Sequence, residues 1–415
     1  MGLFTNFRYC THLRPWRGVR LSTGFRAGYS LKLEAGNHYS PLPEKDDKVY
    51  VAMSGGVDSS VSAFLMKEKG FDVEGVYMRN WDVKEEGNLL QTSPCEEDWK
   101  KVQSVCKRLQ IPCQRIDFVK EYWSHVFEHA LEDYQQGRTP NPDLLCNKEI
   151  KFDRLLDHLQ QMQAKRKSWL VTGHYARLVQ EQTSEHIHLM RGKDPIKDQT
   201  YYLATVPTFK FKNVIFPLGN LLKPQIKTIA RNIGLGDIAD QPESMGICFV
   251  GKRRNFTSFL GNYIQETPGS ICTVDGTVIG QHQGLWTHTI GQRLRISYKS
   301  QKWYVSAKDI PTNVITVVPG RNHPALYSTA LQLPNFSWSS KPSLIDLDEG
   351  TLVLAKIRST QMPIKCHVRS NSASRGMIDI QFVEPVWAPA PGQYVVLYTL
   401  EGICLGAGVV PYYTI

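Results

Sequence analysis

In the first half of the chain, short apolar runs alternate with longer stretches of helical periodicity. Val49 to Met53 reads as a short buried strand that ends in the turn Ser54-Gly55-Gly56. Behind it Val61, Ala63, Phe64 and Leu65 mark the apolar side of a helix closed by Gly70. Val73 to Met78 reads as a second strand, and Trp99, Val102, Val105, Cys106 and Leu109 recur at helical spacing. Cys113 to Phe118 reads as a third strand. Two more helices follow, one through Tyr122, Val126, Phe127, Ala130, Leu131 and Tyr134, the other through Ile150, Leu155, Leu156, Leu159 and Met162. Trp169 to Thr172 reads as a fourth strand stopped by Gly173. Strands alternating with helices predict an α/β unit with a doubly wound parallel sheet. Ligands of such sheets sit beyond the C-terminal strand ends, where the turns after Met53 and Thr172 fall.

Past about residue 250 the period shortens. β-like runs cover 270–274, 277–279, 303–306, 314–318, 351–357, 364–368, 377–383 and 394–398, separated by Gly, Asp and Pro. They predict one or two small antiparallel β units. The expected division is a leader and linker over 1–45, a nucleotide-binding catalytic unit over 46–250, a central β-rich unit over 251–325 and a C-terminal β unit over 326–415. No internal repeat or low-complexity tract is present.

Composition narrows the class. At 415 residues with 41% hydrophobic and 10% aromatic content, the chain can bury real cores. Its longest apolar runs, such as Val395 to Leu397, are far too short to cross a bilayer, so no membrane insertion is expected. The net charge of +10 suits a polyanionic partner. Part of that excess is N-terminal: Arg8, Arg14, Arg17, Arg20, Arg26 and Lys32 all precede the first acid, Glu34. An acid-free, Arg-rich opening with Ser22, Thr23 and Ser30 fits a mitochondrial transit peptide and hence a matrix location; a plain basic tail is the other reading. The nine cysteines are odd in number and irregularly spaced, with no C-x-x-C pair, which argues against a disulfide framework and against a zinc ribbon.

The loop Ser54-Gly55-Gly56-Val57-Asp58-Ser59-Ser60 carries the first specific chemistry. Glycines let backbone approach a ligand, and successive N–H groups opening a helix make an anion nest. An ordinary Gly-containing turn is the plain alternative. The full SGGVDS string resembles the PP-loop of ATP pyrophosphatases, which cleave ATP between the α- and β-phosphates. It is neither a Walker A loop nor a G-x-G-x-x-G fingerprint. On that resemblance Ala52, Met53, Ser54, Gly55, Gly56, Val57, Asp58 and Ser59 are expected around ATP with its Mg²⁺, together with Met78 and Gly173 at neighbouring strand ends. Core packing is the competing role for Met78, and a satisfied polar side chain is the expectation for His174.

Two cysteines stand out. In Thr139-Pro140-Asn141-Pro142-Asp143-Leu144-Leu145-Cys146, Asn141 suits an N-cap and Pro142 the first helical position. Asp143 and Cys146, three apart, share a helical face, and a thiol in a first turn feels the positive dipole end. Cys248, in Ser244-Met245-Gly246-Ile247-Cys248-Phe249-Val250-Gly251, lies between glycines and next to Lys252, Arg253 and Arg254. Taken alone, Cys146 also reads as a small buried thiol of a capped helix, and Cys248 alone reads first as a buried thiol.

The SGGVDS loop, TPNPDLLCNKEIKF, TGHYAR, Lys197-Asp198-Gln199-Thr200, SMGICFVG and Gly291-Gln292-Arg293 occur in the order seen in tRNA-specific 2-thiouridylases, from about Val49 to the C-terminus. With its leader, the chain resembles the mitochondrial member of that family. The resemblance implies a PP-loop, adenine nucleotide alpha hydrolase-like sheet, then a central β-rich domain and a C-terminal antiparallel β-barrel. It implies Cys146 as nucleophile, Cys248 as persulfide carrier and Asp143 as general acid/base. It implies that Asn141, Pro142 and Asp143 contact the target base and that Lys197, Asp198 and Gln199 contact tRNA. Lys356 and Arg358 are expected on the tRNA backbone, with Lys165, Arg166 and Lys167 as further basic candidates. A persulfide-delivering partner, fed by a cysteine desulfurase relay, is implied as sulfur donor, and no permanently bound metal is expected. Three other classes share some of these features: a PP-loop amide or amidine ligase, an iron–sulfur thiolase with Asp143, Cys146 and Cys248 as ligands, and a non-enzymatic tRNA-binding module.

Overall fold

A computed structural model describes residues 42–82, 94–163, 166–180, 186–242, 256–340, 344–371 and 376–412. The leader, Cys248 and the basic residues Lys165 and 252–254 lie outside the described residues.

The apolar runs of the first half become strands β1 (Lys48–Ala52), β2 (Asp72–Arg79), β3 (Cys113–Asp117) and β4 (Ser168–Val171). A hairpin, β5 (Ala176–Gln180) with β6 (Ile187–Arg191), and a two-residue strand, β7 (Val214–Ile215), follow. The main sheet has the order β3-β2-β1-β4-β7, parallel throughout. The chain winds outward from β1 through β2 to β3, then resumes beyond β1 at β4. The switch point therefore lies between β1 and β4, where a doubly wound sheet opens a crevice. Helix α1 (Val57–Glu68) follows β1, and Gly70 adopts φ +82 just beyond its end. Helix α2 (Pro94–Leu109) joins β2 to β3, with Glu96 and Glu97 in its first turn and Lys107 and Arg108 in its last, both favourable to the helix dipole.

Helices α3 (119–135) and α4 (142–162) each contain a more widely wound stretch, Trp123–Phe127 in the first and Cys146–Arg154 in the second. Phe152 leaves helical geometry at φ −103, ψ 15, so α4 kinks there. Such π-wound turns cluster at functional sites.

The central β unit comprises β8 (Gly269–Thr273), β9 (Val278–His282), β10 (Arg293–Leu294), β11 (Trp303–Asp309) and β12 (Val314–Pro319), in the order β10-β11-β12-β8-β9. It corrects the expectation of a purely antiparallel unit, because β12 pairs with β8 in parallel. The β11–β12 hairpin brings β12 back beside β8, running the same way, a pairing that local alternation does not encode. The C-terminal unit is antiparallel: β13 (Tyr327–Leu333), β14 (Ser337–Trp338), β15 (Thr351–Lys356), β16 (Ile364–Ser370), β17 (Ile378–Trp387), β18 (Tyr394–Tyr398) and β19 (Cys404–Val409) curl into a half-barrel in the order β13-β17-β16-β15-β18-β19-β14.

Strand β18 explains why the run at 394–398 is apolar at every position. Val395 and Leu397 face the half-barrel's own core with Leu333, Val353 and Phe382. Val396 and Tyr398, on the opposite face, join the core of the α/β unit with Tyr201, Leu203 and Leu189. Period-two alternation thus fills two cores from one strand, and the half-barrel is fixed to the catalytic unit by burial.

Candidate active site

The glycine loop sits at the switch point. Gly55 takes φ +76, and a Cβ there would lie 2.9 Å from the Cβ of Lys101 in α2, so the position requires glycine on both counts. The loop is cross-braced by its own hydroxyls. Ser59 Oγ accepts from the Ser54 N–H at 3.2 Å and donates to the Gly56 carbonyl at 3.1 Å. Ser54 Oγ accepts from the Gly56 N–H at 3.3 Å. Gly173, beyond β4, meets the start of α1: a Cβ on it would lie 2.9 Å from the Ser59 nitrogen and from the Asp58 carbonyl carbon. Two segments 114 residues apart in sequence are thereby brought into contact at one strand edge. Met78 ends up buried beneath this edge, in the same core cluster as Cys146.

Asp58 does not point freely outward. Its carboxylate accepts from Tyr175 Oη at 2.7 Å and from Lys223 Nζ at 2.7 and 2.8 Å. Lys223 opens helix α5 (Lys223–Asn232), and its N–H donates to Asp194 at 2.9 Å. Asp194 also accepts from the Ile196 and Lys197 N–H groups. Though its enclosure works the other way, these backbone donors hold the Asp194 carboxyl below the usual range. Gln199 is tied in as well, since its Oε1 accepts from the Tyr175 N–H at 3.1 Å. The segment 194–199 is therefore mechanically joined to the nucleotide loop through Tyr175 and Lys223.

The segment from α3 into α4 carries the candidate nucleophile. Gly137, at φ +71, turns the chain out of α3. Both β units then grip residues 137–140. Lys308 Nζ of β11 donates to the Gly137 carbonyl at 2.7 Å, and Thr289 Oγ1 meets Thr139 Oγ1 at 3.2 Å. From the C-terminal unit, the Pro391 carbonyl accepts from the Thr139 N–H at 2.8 Å, and Gln393 Nε2 donates to the Thr139 carbonyl at 2.7 Å. Asn141 occupies the N-cap position with φ −123, ψ 91, but no side-chain cap bond forms, and Pro142 stands at the first helical position. Cys146 lies just past the first turn rather than in it, with its N–H already bonded to the Pro142 and Asp143 carbonyls. The dipole contribution expected for its thiol is correspondingly smaller, because the effect fades beyond the first turn. Cys146 is 1% exposed, and Asn80 Nδ2, just past the end of β2, lies 4.0 Å from its sulfur.

A family model described as tRNA methyl transferase HUP domain matches residues 47–252. Models described as tRNA methyl transferase PRC-barrel domain and aminomethyltransferase beta-barrel domain match 257–319 and 328–410. A tRNA-specific 2-thiouridylase of Geobacillus kaustophilus is 42% identical over 373 residues, covering 88% of this chain and 96% of that protein. One of Staphylococcus epidermidis is 41% identical over 371 residues, covering 89% and 96%. The chain belongs to the tRNA-specific 2-thiouridylase family. Among solved structures, a 4-thiouridine synthetase–RNA complex with bound ATP aligns with a TM-score of 0.33 at 17% identity over 50% of this chain and 46% of that one, too distant to add to the assignment.

Within this 2-thiouridylase fold the residues expected on tRNA fall into two groups. Asn141 and Asp143 are partly exposed at the head of α4, and Lys197 and Gln199 are partly exposed beside the nucleotide loop. Asp198 and Lys356 lie inside the molecule instead. The side chain of Asp198 has 0% exposure and that of Lys356 has 2%, with Nζ 3.5 Å from the carboxylate. Arg191 Nε at 3.1 Å, the Gly192 N–H at 3.2 Å and Thr200 Oγ1 at 2.8 Å complete the Asp198 shell. A phosphate contact by Lys356 is corrected by this burial: the pair pins β15 to the catalytic unit. Burial lowers the Lys356 pKa against the raising effect of Asp198. Arg358 is partly exposed and stacks over Trp387 at 4.8 Å, with Arg321 over the same ring at 4.7 Å. Among the described residues neither guanidinium has a carboxylate within ion-pair distance.

His174 is hydrogen-bonded to Thr172 Oγ1 at 2.7 Å and packs against Phe152 and Phe216. Burial, then the charge of Lys151, holds its imidazole well below the usual range, so it is neutral. The sequence reading missed Asn80, Tyr175 and Lys223. Tyr175 lies inside the TGHYAR string, and Lys223-Pro224 is a helix-start signal, but only the fold reveals their common partner, Asp58.

Proposed function

We propose that this chain catalyses ATP-dependent 2-thiolation of the wobble uridine in mitochondrial tRNAs of the Lys, Glu and Gln type. The main support is the convergence at one sheet edge of the braced glycine loop, Gly173 and the Cys146-bearing head of α4, in a chain 42% identical to a named tRNA-specific 2-thiouridylase. Ser54, Gly55, Gly56 and Ser59 offer backbone N–H and hydroxyl donors that fit a polyphosphate, and Mg²⁺ arriving with ATP supplies charge neutralisation.

The uridine C2 oxygen attacks the α-phosphorus and pyrophosphate leaves, which turns a poor leaving group into AMP. As that O–P bond forms, N3 gives its proton to Asp143, which returns it when C2 becomes the thiocarbonyl. Sulfur comes from a persulfide on Cys248. In one route, the Cys146 thiolate attacks the Cys248 sulfur and expels hydrosulfide, which adds at C2 as AMP departs. In the other, the terminal persulfide sulfur attacks C2 and expels AMP. Cys146 then attacks the Cys248 sulfur and frees the thiolated base. Both routes end in a Cys146–Cys248 disulfide that a thiol reductant resets. The target base must leave its stack to be reached, a small cost in an anticodon loop.

The basic leader fits a matrix location, and a persulfide-carrying donor protein completes the cycle. No helix among the described residues is long and apolar enough to cross a membrane. The test is mass spectrometry of mitochondrial tRNA nucleosides from cells lacking this protein. Loss of 2-thiouridine is expected; unchanged 2-thiouridine contradicts the proposal.

A further inference from the structure

Asn80 is a buried amide that no group among the described residues satisfies fully. It follows the last residue of β2, at the C-terminal edge of the sheet, and has 0% exposure. Its Nδ2 faces Cys146 Sγ at 4.0 Å, a distance at the limit of a hydrogen bond to sulfur. Its Oδ1 is enclosed and meets no donor among the described residues. A buried carbonyl without a partner costs on folding, and folded proteins keep few of them. One placed against a nucleophile is ready for a donor that arrives with the substrate.

We infer that Asn80 is the residue that selects uridine, its Oδ1 accepting the N3–H of the target base while its amide N–H holds the Cys146 sulfur next to C2. The inference rests on the thiolation reading above. In uracil the N3–H donor adjoins C2, the carbon that receives sulfur. A group bonded to N3–H and also touching the sulfur therefore docks the uracil with C2 beside the sulfur before adenylation takes the N3 proton. Cytosine presents an unprotonated N3 in the same place. Its lone pair would face the Oδ1 lone pairs, leaving both acceptors without a donor. Sites built to hydrogen-bond a substrate N–H reject analogues lacking it far more strongly than apolar pockets discriminate by shape. Asn80 thus acts as a specificity-determining and positioning residue, with the bond-making left to Cys146 and Cys248.

The test uses the full chain and two tRNA transcripts that differ only at the target base, U or C. They compete for binding in the presence of a non-hydrolysable ATP analogue, and kcat and KM are measured for the U transcript and for ATP. In wild type the U transcript wins. Asn80→Leu, close in volume, is expected to reduce the U-over-C preference by about tenfold or more and to lower kcat/KM for the U transcript, with the KM for ATP little changed. Asn80→Asp keeps an acceptor and is expected to retain more of the preference than Leu. It also controls for a fold that tolerates only a polar side chain. An unchanged preference in Asn80→Leu overturns the inference, as does a raised KM for ATP with discrimination intact, which would assign Asn80 to the nucleotide. A wild-type protein that neither prefers U nor forms 2-thiouridine would overturn the thiolation reading as well.

Discussion

Two aspartate–lysine pairs occupy opposite kinds of place in this molecule. Asp58 and Lys223 meet at the ligand edge, where the aspartate side chain keeps 32% exposure and the lysine 10%. Asp198 and Lys356 meet in the interior, at 0% and 2%. The first pair braces the glycine loop expected to hold a polyphosphate. The second joins the half-barrel to the catalytic unit and is enclosed by Arg191, Thr200 and the Gly192 N–H. The residue types match but the energetics do not. A pair with one partly hydrated member is worth less to stability, whereas removing one partner of a dry pair strands the other charge.

The comparison breaks most visibly at Asp198. Asp198→Ala leaves Lys356 and Arg191 without their buried acceptor and is expected to cost about 3–5 kcal/mol in denaturant titrations. Replacing both members, Asp198→Leu with Lys356→Met, should recover only the part of that loss due to the stranded Lys356, because Arg191 and the Gly192 N–H still lack their acceptor. A loss below about 1 kcal/mol in the single variant would mean that the pair does not pin the two units.

Asp58 should behave the other way. Asp58→Ala is expected to cost clearly less stability than Asp198→Ala, since the Asp58 carboxylate is partly hydrated. It should lower kcat/KM for ATP on the order of tenfold to a hundredfold, because a misplaced loop costs positioning. Large destabilisation with normal ATP use would erase the distinction between the two pairs.

Arg321 sharpens the same contrast on the outer surface, where charges meet solvent rather than carboxylates. It is exposed, and its guanidinium lies over Trp387 beside that of Arg358. For Arg358, burial and the Arg321 charge together lower the pKa against an opposing effect of Tyr201. Among the described residues neither guanidinium pairs with a carboxylate, Arg358 donating instead to the Ala388 carbonyl at 2.7 Å, and such groups suit RNA phosphate. Arg321→Gln is expected to reduce the slope of log affinity for tRNA against log salt by about 1. An unchanged slope would leave Arg321 as a packing residue.

The smallest expected effect concerns pH. Burial, with the charges of His282 and Lys308, pushes His288 down to about 4. The unfolded chain binds that proton near 6.5, before the folded state does. Stability from the neutral ring is therefore full above about 6.5 and is lost as pH falls toward 4. Thermal midpoints measured from pH 7.5 down to 4.5 should fall less steeply in His288→Gln than in wild type. Parallel curves would exclude His288 as a contributor.

How much of this was legible in the sequence follows from how local each signal is. The strand–glycine loop–helix at 48–68 and the start of α4 at Pro142 are written in neighbouring residues, and both lie where expected. Strand β7 is two residues long, too short for any period, and is a strand only because β4 pairs with it. The parallel β8–β12 pair joins residues more than 40 apart, and the wide winding at Cys146–Arg154 leaves no mark on apolar spacing. Lys356 looked like a phosphate ligand because a lysine in an amphipathic strand is usually wet. Its carboxylate partner is 158 residues away. Asn80 carried no signal beyond its place at a strand end. Its significance comes from the sulfur opposite it and from a carbonyl left without a donor among the described residues.

Cys146 is the atom-level centre of the account, and one assay addresses it directly. Purified full-length protein, a persulfide source, ATP and unmodified tRNA are combined, and the digested nucleosides are read by mass spectrometry for wild type and Cys146→Ser. The account predicts 2-thiouridine in the first reaction and none in the second, with the variant still binding tRNA. Equal 2-thiouridine yields from the two proteins would contradict it.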